Sequence, residues 1–148
     1  MGSKSVLPLL LVSVGLALAG AVAVTGILTA SRTIGSSGTV KAINVEVYWD
    51  IEGTNVVSEI DWGSIEPNES VIRTVYVKNT GNTALTLSMT YSGWVPAEAG
   101  DYLTLSWDRE GVTVDPDAVL AAVLTLSVSD SISGIENFSF NIVIEGTG

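Results

Sequence analysis

Acidic loop residues are the first candidates for chemistry in this sequence. Asp50 and Glu52 lie close together, and Asp115 and Asp117 flank a proline. Calcium is bound in proteins by oxygen ligands, which carboxylates supply, so these four residues form the candidate ligand set. Their spacing does not follow the EF-hand pattern. We therefore expect solvated turn acids here, with no resident metal ion and no cofactor.

The residue types that carry most enzyme mechanisms are missing from the chain. It contains no His and no Cys, which excludes thiolate chemistry, histidine acid–base catalysis and the common zinc sites. Two carboxylates suffice for glycoside hydrolysis, but nothing among the 16 acidic residues singles out a pair. The chain is therefore predicted not to be an enzyme.

The charge balance restricts the partners. The 148 residues include 16 acidic and 6 basic side chains, which gives a net charge of −10. Binding to nucleic acid is driven by Lys and Arg on phosphates, and anionic membrane surfaces attract basic segments. We expect no nucleic acid as a partner, and a membrane only through the N-terminal segment, if that segment is retained.

The tryptophans are candidate carbohydrate platforms because aromatic rings can stack on sugar faces. Trp49 and Trp107 lie in phase with apolar rows and are predicted to be core residues, whereas Trp62 lies in a run too short to assign firmly. Trp94, which precedes Pro96, is the best candidate for an exposed aromatic. Sugar binding is the weaker of the two interpretations for all four.

Two sequences fit the acceptor pattern for N-glycosylation, Asn68-Glu69-Ser70 and Asn137-Phe138-Ser139. Asn68 lies in a predicted turn and is the more accessible of the two. Short patterns of this kind arise often by chance, so both asparagines stay candidates only.

The N-terminus differs in kind from the rest of the chain. Val6 to Ala30 carries no charge over 25 residues. Ala19-Gly20-Ala21 and Ala21-Val22-Ala23 both fit the small-residue rule of signal peptidases, and cleavage after Ala23 predicts a signal peptide over 1–23. A retained membrane helix is the alternative, since about 20 apolar residues can cross a bilayer. Both interpretations place the rest of the chain outside the cell or on its surface.

Beyond Gly38 the apolar residues alternate with polar ones, as in half-buried strands. Six or seven such runs predict an all-β fold, an antiparallel two-layer sandwich of the jelly-roll or immunoglobulin-like kind over 38–148. Thr39 to Trp49 is predicted as one strand, and Ser58 to Trp62 as a brief edge strand. The predicted core residues are Val45, Val47, Val75, Leu85, Leu87, Leu105, Trp107, Leu124, Leu126, Phe140 and Ile142.

Turn residues separate these runs. Asn79 to Asn82 is predicted as a hairpin turn in which Gly81 adopts a positive φ. Glu66 to Glu69 and Asp108 to Gly111 are predicted as further turns, and Asp115 to Asp117 is predicted to start another strand. Pro96 to Asp101 is predicted as one helical turn. Ser36-Ser37-Gly38 is predicted as a flexible join between the N-terminal segment and the domain.

Two motifs resemble those of the TasA and camelysin type of secreted fibre protein, to which the archaeal bundling-pilus subunits are similar. One is Gly38-Thr39-Val40-Lys41-Ala42. The other is Gly63 to Ser70, with Asn68 where that family usually has Gly, leading into Val75 to Gly81. The resemblance implies a sandwich whose subunits join by donor-strand exchange. It does not extend to the protease activity described for camelysins, because no His is present to ligate zinc.

The segment 24–37 is the candidate arm for such an exchange. Its alternating residues Val24, Gly26, Leu28 and Ala30 are apolar or small, which suits a strand that enters a groove. The alternative is that they end a membrane helix. We thus expect a structural subunit of an extracellular filament or pilus that polymerises with copies of itself, as in a biofilm matrix. A surface binding or adhesion module and a pilin-like subunit with a retained helix are the rival hypotheses.

Overall fold

The computed structural model of the protein describes residues 35–148. The predicted signal segment and the candidate donor residues Val24, Gly26, Leu28 and Ala30 lie outside the described residues. Within 35–148, no helix is long and apolar enough to span a membrane.

Two packed β-sheets make up the described part of the chain, which confirms the predicted two-layer all-β sandwich. The strands are β1 (Gly35–Ile43), β2 (Glu46–Tyr48), β3 (Glu59–Asp61), β4 (Ser70–Lys78), β5 (Leu85–Val95), β6 (Leu103–Trp107), β7 (Thr113–Val114), β8 (Val119–Val128) and β9 (Asn137–Thr147). Sheet one has the order β3-β1-β9-β5-β7, and sheet two has the order β2-β4-β8-β6. Neighbours are antiparallel except β1 and β9, which are parallel.

The core lies between the two sheets and follows the alternation in the sequence. Every residue predicted for it is buried except Trp107, which is partly buried. Trp62, which follows the short edge strand β3, is the largest fully buried side chain. Its ring stacks on Phe140 with centroids 6.4 Å apart. Burial of Leu- or Phe-sized side chains stabilises by roughly 1.5–3 kcal/mol each, so these core contacts contribute substantially to the stability of the domain.

The run Thr39 to Trp49 is two strands and not the single strand predicted. β1 ends at Ile43, and β2 begins at Glu46 in the other sheet. Asn44 has φ 64°, a left-handed conformation that Asn tolerates, and its side-chain amide donates to the Gly146 carbonyl at 3.0 Å. The buried residues lie at even positions before this corner, as at Gly38 and Val40, and at odd positions after it, as at Val45 and Val47. The single-strand prediction overlooked this change of phase.

Asn79 to Asn82 is also not the predicted hairpin turn, because β4 and β5 belong to different sheets. Gly81 does not adopt a positive φ. Asn79 is fully buried, and its amide nitrogen donates to the carbonyls of Thr83 at 2.7 Å and Val114 at 3.0 Å. Its Oδ1 accepts from the Gly81 N–H at 2.9 Å. The Asn-x-Gly motif therefore anchors a crossover between the sheets.

Three other local predictions are confirmed. The turn at 66–69 closes with a bond from Glu69 N to Glu66 O at 3.2 Å, and Asn68 has φ 66°. A 3₁₀ turn spans Ala97–Asp101. β3 is a three-residue strand at the edge of sheet one.

The predicted join at 36–38 is wrong, because these residues lie in β1, which begins at Gly35. Residues 35–37, assigned above to the arm, thus pair within their own chain with β9. Gly38 is needed there for close approach: a Cβ at this position would lie 3.1 Å from Ile142 Cδ1 and 3.2 Å from Trp62 Nε1. A Gly/Ser run in a sequence usually indicates a linker. Here the small side chains instead leave room for the large side chains that pack beside β1.

Candidate functional site

The edges of the two sheets are the places where another chain could add a strand. We name the end of the sandwich at Gly35 the entry end and the end at Ile43 the far end. β1 and β9 both run from the entry end to the far end, because they pair in parallel from Gly35 with Asn137 onwards. β5 runs the opposite way.

An apolar groove opens at the far end, on the side of the sandwich where β1 and β2 lie. It has a volume of about 380 Å³. We name it the valine groove. Its lining residues are Val40, Ala42, Val45, Glu46, Val47, Tyr48, Val56, Val57 and Ser58.

Ala42 shows that the sandwich is uncovered at this groove. It is in phase with the buried Gly38 and Val40 and therefore points inward, yet it is exposed. β3 pairs with β1 only at Ser37 to Thr39, and the Val40 N–H then donates to Ser58 O at 2.8 Å. By alternation, the backbone groups of Ala42 face the same side, where no strand of the described residues lies beside them.

The loop between β2 and β3 forms the outer wall of the groove. Val57 N donates to Val47 O at 2.9 Å, and Trp49 N donates to Asn55 O at 2.7 Å. Between these bonds Val56 is 64% exposed, which is unusual for a valine next to a core. The wall is thus fixed by backbone bonds while it presents an apolar side chain to solvent.

Two carboxylates set the electrostatics of the wall. Asp50 accepts hydrogen bonds from the Thr54 hydroxyl and from the N–H groups of Thr54 at 3.1 Å and Asn55 at 2.9 Å. The Thr54 hydroxyl is the main cause that lowers the pKa of Asp50, and the backbone donors add to it. Glu46 accepts the Tyr48 hydroxyl, and this bond raises the pKa of Tyr48.

The opposite long side, where β5, β6 and β8 lie, is closed by the loop Asp108–Gly111, which we name the latch. Asp108 Oδ1 accepts from Val123 N at 2.9 Å, and Arg109 Nε donates to Ala121 O at 2.7 Å. Glu110 Oε1 accepts from Met89 N at 3.0 Å. Three consecutive side chains therefore bind backbone groups of β8 and β5, where a neighbouring strand would otherwise pair.

Arg73 covers the edge of β4 near the entry end, where β2 does not pair with it. β2 pairs only with Tyr76 to Lys78 of β4. Arg73 breaks the apolar alternation of β4, and its guanidinium lies 6.0 Å from the centroid of the Trp62 ring. Its Nε donates to Asp61 O at 3.1 Å and thereby connects β4 to β3 across the sandwich. This residue, which looks misplaced in the sequence, covers the rim of the core.

The tryptophans do not form a carbohydrate platform. Trp94 stacks on Phe140 with centroids 4.3 Å apart and is partly buried, which corrects the expectation that it is exposed. Trp62 is 1% exposed. Trp49 and Trp107 are partly buried and pack against the core.

The four candidate calcium ligands do not assemble. Within residues 35–148, no group of three or more acidic side chains is arranged to hold a metal ion. Asp50 instead binds its own loop, and Asp115 uses its backbone carbonyl to close a turn with Ala118 N at 3.0 Å.

Both candidate glycosylation residues are exposed. Asn68 is at the tip of a turn. Asn137 starts β9 beside Gly35, where a Cβ on the glycine would lie 2.6 Å from Asn137 Oδ1. Neither residue lines the valine groove or the latch.

Sequence reasoning missed the valine groove and the latch. Ala42 and Val56 carry no signal of their own, because only the strand order shows that they are uncovered. Comparison with protein-family models gives no match to this chain, and no curated protein matches it either.

Proposed function

We propose that the protein is a structural subunit of an extracellular filament or pilus, joined by donor-strand complementation between copies. The valine groove is the observation that supports this proposal. It combines uncovered apolar side chains with backbone groups of β1 that no described strand pairs. An extended segment from another chain satisfies both needs at once.

The position of the groove favours a partner copy over the chain's own arm. From Gly35 to Ala42, β1 spans about 23 Å, so an arm that precedes Gly35 would have to fold back over this distance. The arm of a second copy, stacked with its entry end on the far end of the first, reaches the groove directly. Such a head-to-tail contact is heterologous and repeats without closing, which generates a filament.

The chemistry of the candidate arm matches that of the groove. Val24, Gly26, Leu28 and Ala30 would present small or apolar side chains to a groove whose exposed apolar residues are Ala42 and Val56. Each main-chain bond contributes only about 0.5–1.5 kcal/mol net, so affinity requires several bonds together with burial of Leu28. A charge at that position would have to be desolvated at a cost of several kcal/mol.

Two variants test the donor and the acceptor separately. Leu28→Asp should block the donor, and Val56→Asp should block the acceptor without unfolding the domain, because Val56 is 64% exposed. Each variant alone should give no filaments by electron microscopy. Mixed together, they should give a discrete dimer, because Val56→Asp still offers an arm and Leu28→Asp still offers a groove.

Ile72→Asp is the matched control, since Ile72 is 60% exposed but does not line the groove. It should polymerise like the parent. Filaments from both single variants, or no dimer on mixing two folded variants, would disprove donor-strand complementation. A parent chain that stays monomeric would instead favour the surface binding or adhesion module.

A further inference from the structure

β8 is the most apolar strand of the sandwich. Its ten residues, Val119–Val128, include no charged residue, no Pro and no Gly. Uncharged strands of this composition are the segments that pair edge to edge when they are left open. β4 covers one side of β8 along its whole length. On the other side, β6 pairs only with Leu124 to Val128.

The first half of β8 therefore has a side that no strand of the described residues covers. The latch occupies it: Asp108 Oδ1 accepts the Val123 N–H at 2.9 Å, and Arg109 Nε donates to the Ala121 carbonyl at 2.7 Å. The two side chains thus supply one acceptor for a backbone N–H and one donor for a backbone carbonyl, as a neighbouring strand would. Arg109 also lies 4.0 Å from Asp108, which holds the two side chains together.

Glu110 ties the same loop to the other sheet. Its Oε1 accepts from Met89 N of β5 at 3.0 Å and from Trp107 Nε1 of β6 at 2.8 Å. The latch is consequently held on both sheets, and its charged side chains lie over the edge where an incoming strand would approach.

We propose that the latch conceals a second assembly edge, Val119 to Val123 of β8, and that the partner of this edge is the same segment of another copy. Two such segments pair antiparallel about a two-fold axis, so one surface is complementary to itself. The segment itself contains no charged residue, so two copies of it pair without placing like charges directly opposite one another in the ladder. The wild-type latch prevents this contact.

The test removes the two latch side chains that bind β8 and leaves net charge unchanged, while Glu110 keeps its bonds to Met89 and Trp107. Asp108→Ala/Arg109→Ala is made in the Leu28→Asp background, in which the proposed filament contact is blocked. Sedimentation velocity should show a concentration-dependent shift from monomer to dimer, because a two-fold contact closes at the dimer. The matched control is Lys78→Ala/Asp115→Ala, which also removes one base and one acid but breaks no side-chain hydrogen bond of the described residues. It should remain like the background.

Two further variants separate edge pairing from unfolding. Asp108→Asn keeps an oxygen acceptor for Val123 N and should not associate. Adding Ala121→Lys, at an exposed position of the edge, to the Asp108→Ala/Arg109→Ala chain should return it to monomer, because charges on an edge oppose strand pairing. Association that Ala121→Lys does not reverse would overturn the proposal. So would an Asp108→Ala/Arg109→Ala chain that stays monomeric although hydrogen exchange shows the Val123 amide to be unprotected. Filaments in the Leu28→Asp background itself would count against the proposed function alone.

Discussion

The edges of the sheets differ between the two long sides of the sandwich: one side is left uncovered and the other is covered by side chains. On the side of β1 and β2, the sheets stop short of covering their apolar interior, and Ala42 and Val56 are open to solvent. On the side of β5, β6 and β8, the sheets are also incomplete, but the charged residues of the latch bind the unpaired backbone groups. Backbone groups at the sheet edge thus lack a neighbouring strand on both sides, and only on the latch side do side chains replace it.

This difference bears on assembly. An incomplete edge covered by Asp, Arg and Glu resists another strand, since that strand would have to displace charged side chains from their bonds. An edge lined by valines gains from one. A subunit with only one open edge can accept a strand at that edge alone, as the proposed head-to-tail contact requires. Mutations can test first the core that the two sides share and then each side separately.

The largest expected effect concerns Phe140, which connects the two sides. On one side its ring stacks on Trp62 at 6.4 Å, and on the other it stacks on Trp94 at 4.3 Å. Phe140→Ala should lower the free energy of unfolding by about 3–5 kcal/mol, measured by urea denaturation. The exposed Ile72→Ala should change it by less than about 0.5 kcal/mol. Equal losses in the two variants would mean that Phe140 does not support both sides.

A smaller effect is expected at the closed side. Glu110→Ala removes the acceptor of the Met89 N–H and of the Trp107 indole N–H. At about 0.5–1.5 kcal/mol per bond, the loss of two bonds should lower the free energy of unfolding by about 1–3 kcal/mol. Glu110→Gln keeps an oxygen acceptor and should retain most of this stability. Hydrogen exchange at the Met89 amide should quicken in the alanine variant only; unchanged exchange there would show that the carboxylate does not protect this edge.

Features set by residues close together in the sequence could be predicted from it, whereas features set by residues far apart in the chain could not. Alternation over Leu120 to Val128 or Phe138 to Ile144 is local, and it correctly predicted strands and core. Strand order depends on contacts far apart in the chain, such as Asn79 with Val114, and periodicity carries no information about these. For this reason the crossover at 79–82 was misread as a hairpin.

The candidate site is harder to predict than the fold, because it is defined by what is missing. Ala42 is an ordinary inward residue of β1 until the end of β3 is known, and no pattern in the sequence marks where β3 stops. Asp108 to Glu110 were predicted as a turn, and nothing in the residues themselves indicates that their side chains replace a strand. Arg73 is the exception: its charge in an apolar row is a visible signal that the position lies at a rim.

At the open side, Ala42→Leu should alter assembly more than stability. The added side chain fills part of the valine groove without removing any packing, so we expect the free energy of unfolding to change by less than about 0.5 kcal/mol. Filament formation should slow, because the arm then competes with the new side chain. Thr90→Leu, at an exposed position in the middle of β5 on the closed side, is the control and should assemble normally. An unaltered assembly rate for Ala42→Leu would move the acceptor site away from this groove.

The smallest effect concerns the wall of the groove at low pH. Hydrogen bonds from Thr54 and Asn55 lower the pKa of Asp50. The ionised carboxylate of Asp50 is therefore more stable in the folded loop than in the unfolded chain. The resulting stabilisation is present above the ordinary pKa of Asp, about 4, and is lost as the pH falls through the lower folded-state value. Below about pH 4, exchange at the Thr54 and Asn55 amides should quicken before that of the β9 amides. Asp50→Asn should abolish this pH dependence, whereas Glu52→Gln, in the same loop but without such bonds, should preserve it. Should Glu52→Gln remove it as well, the Asp50 carboxylate would not be what fixes the wall, and the rigid acceptor surface would have to depend on the backbone bonds from Val57 and Trp49 alone.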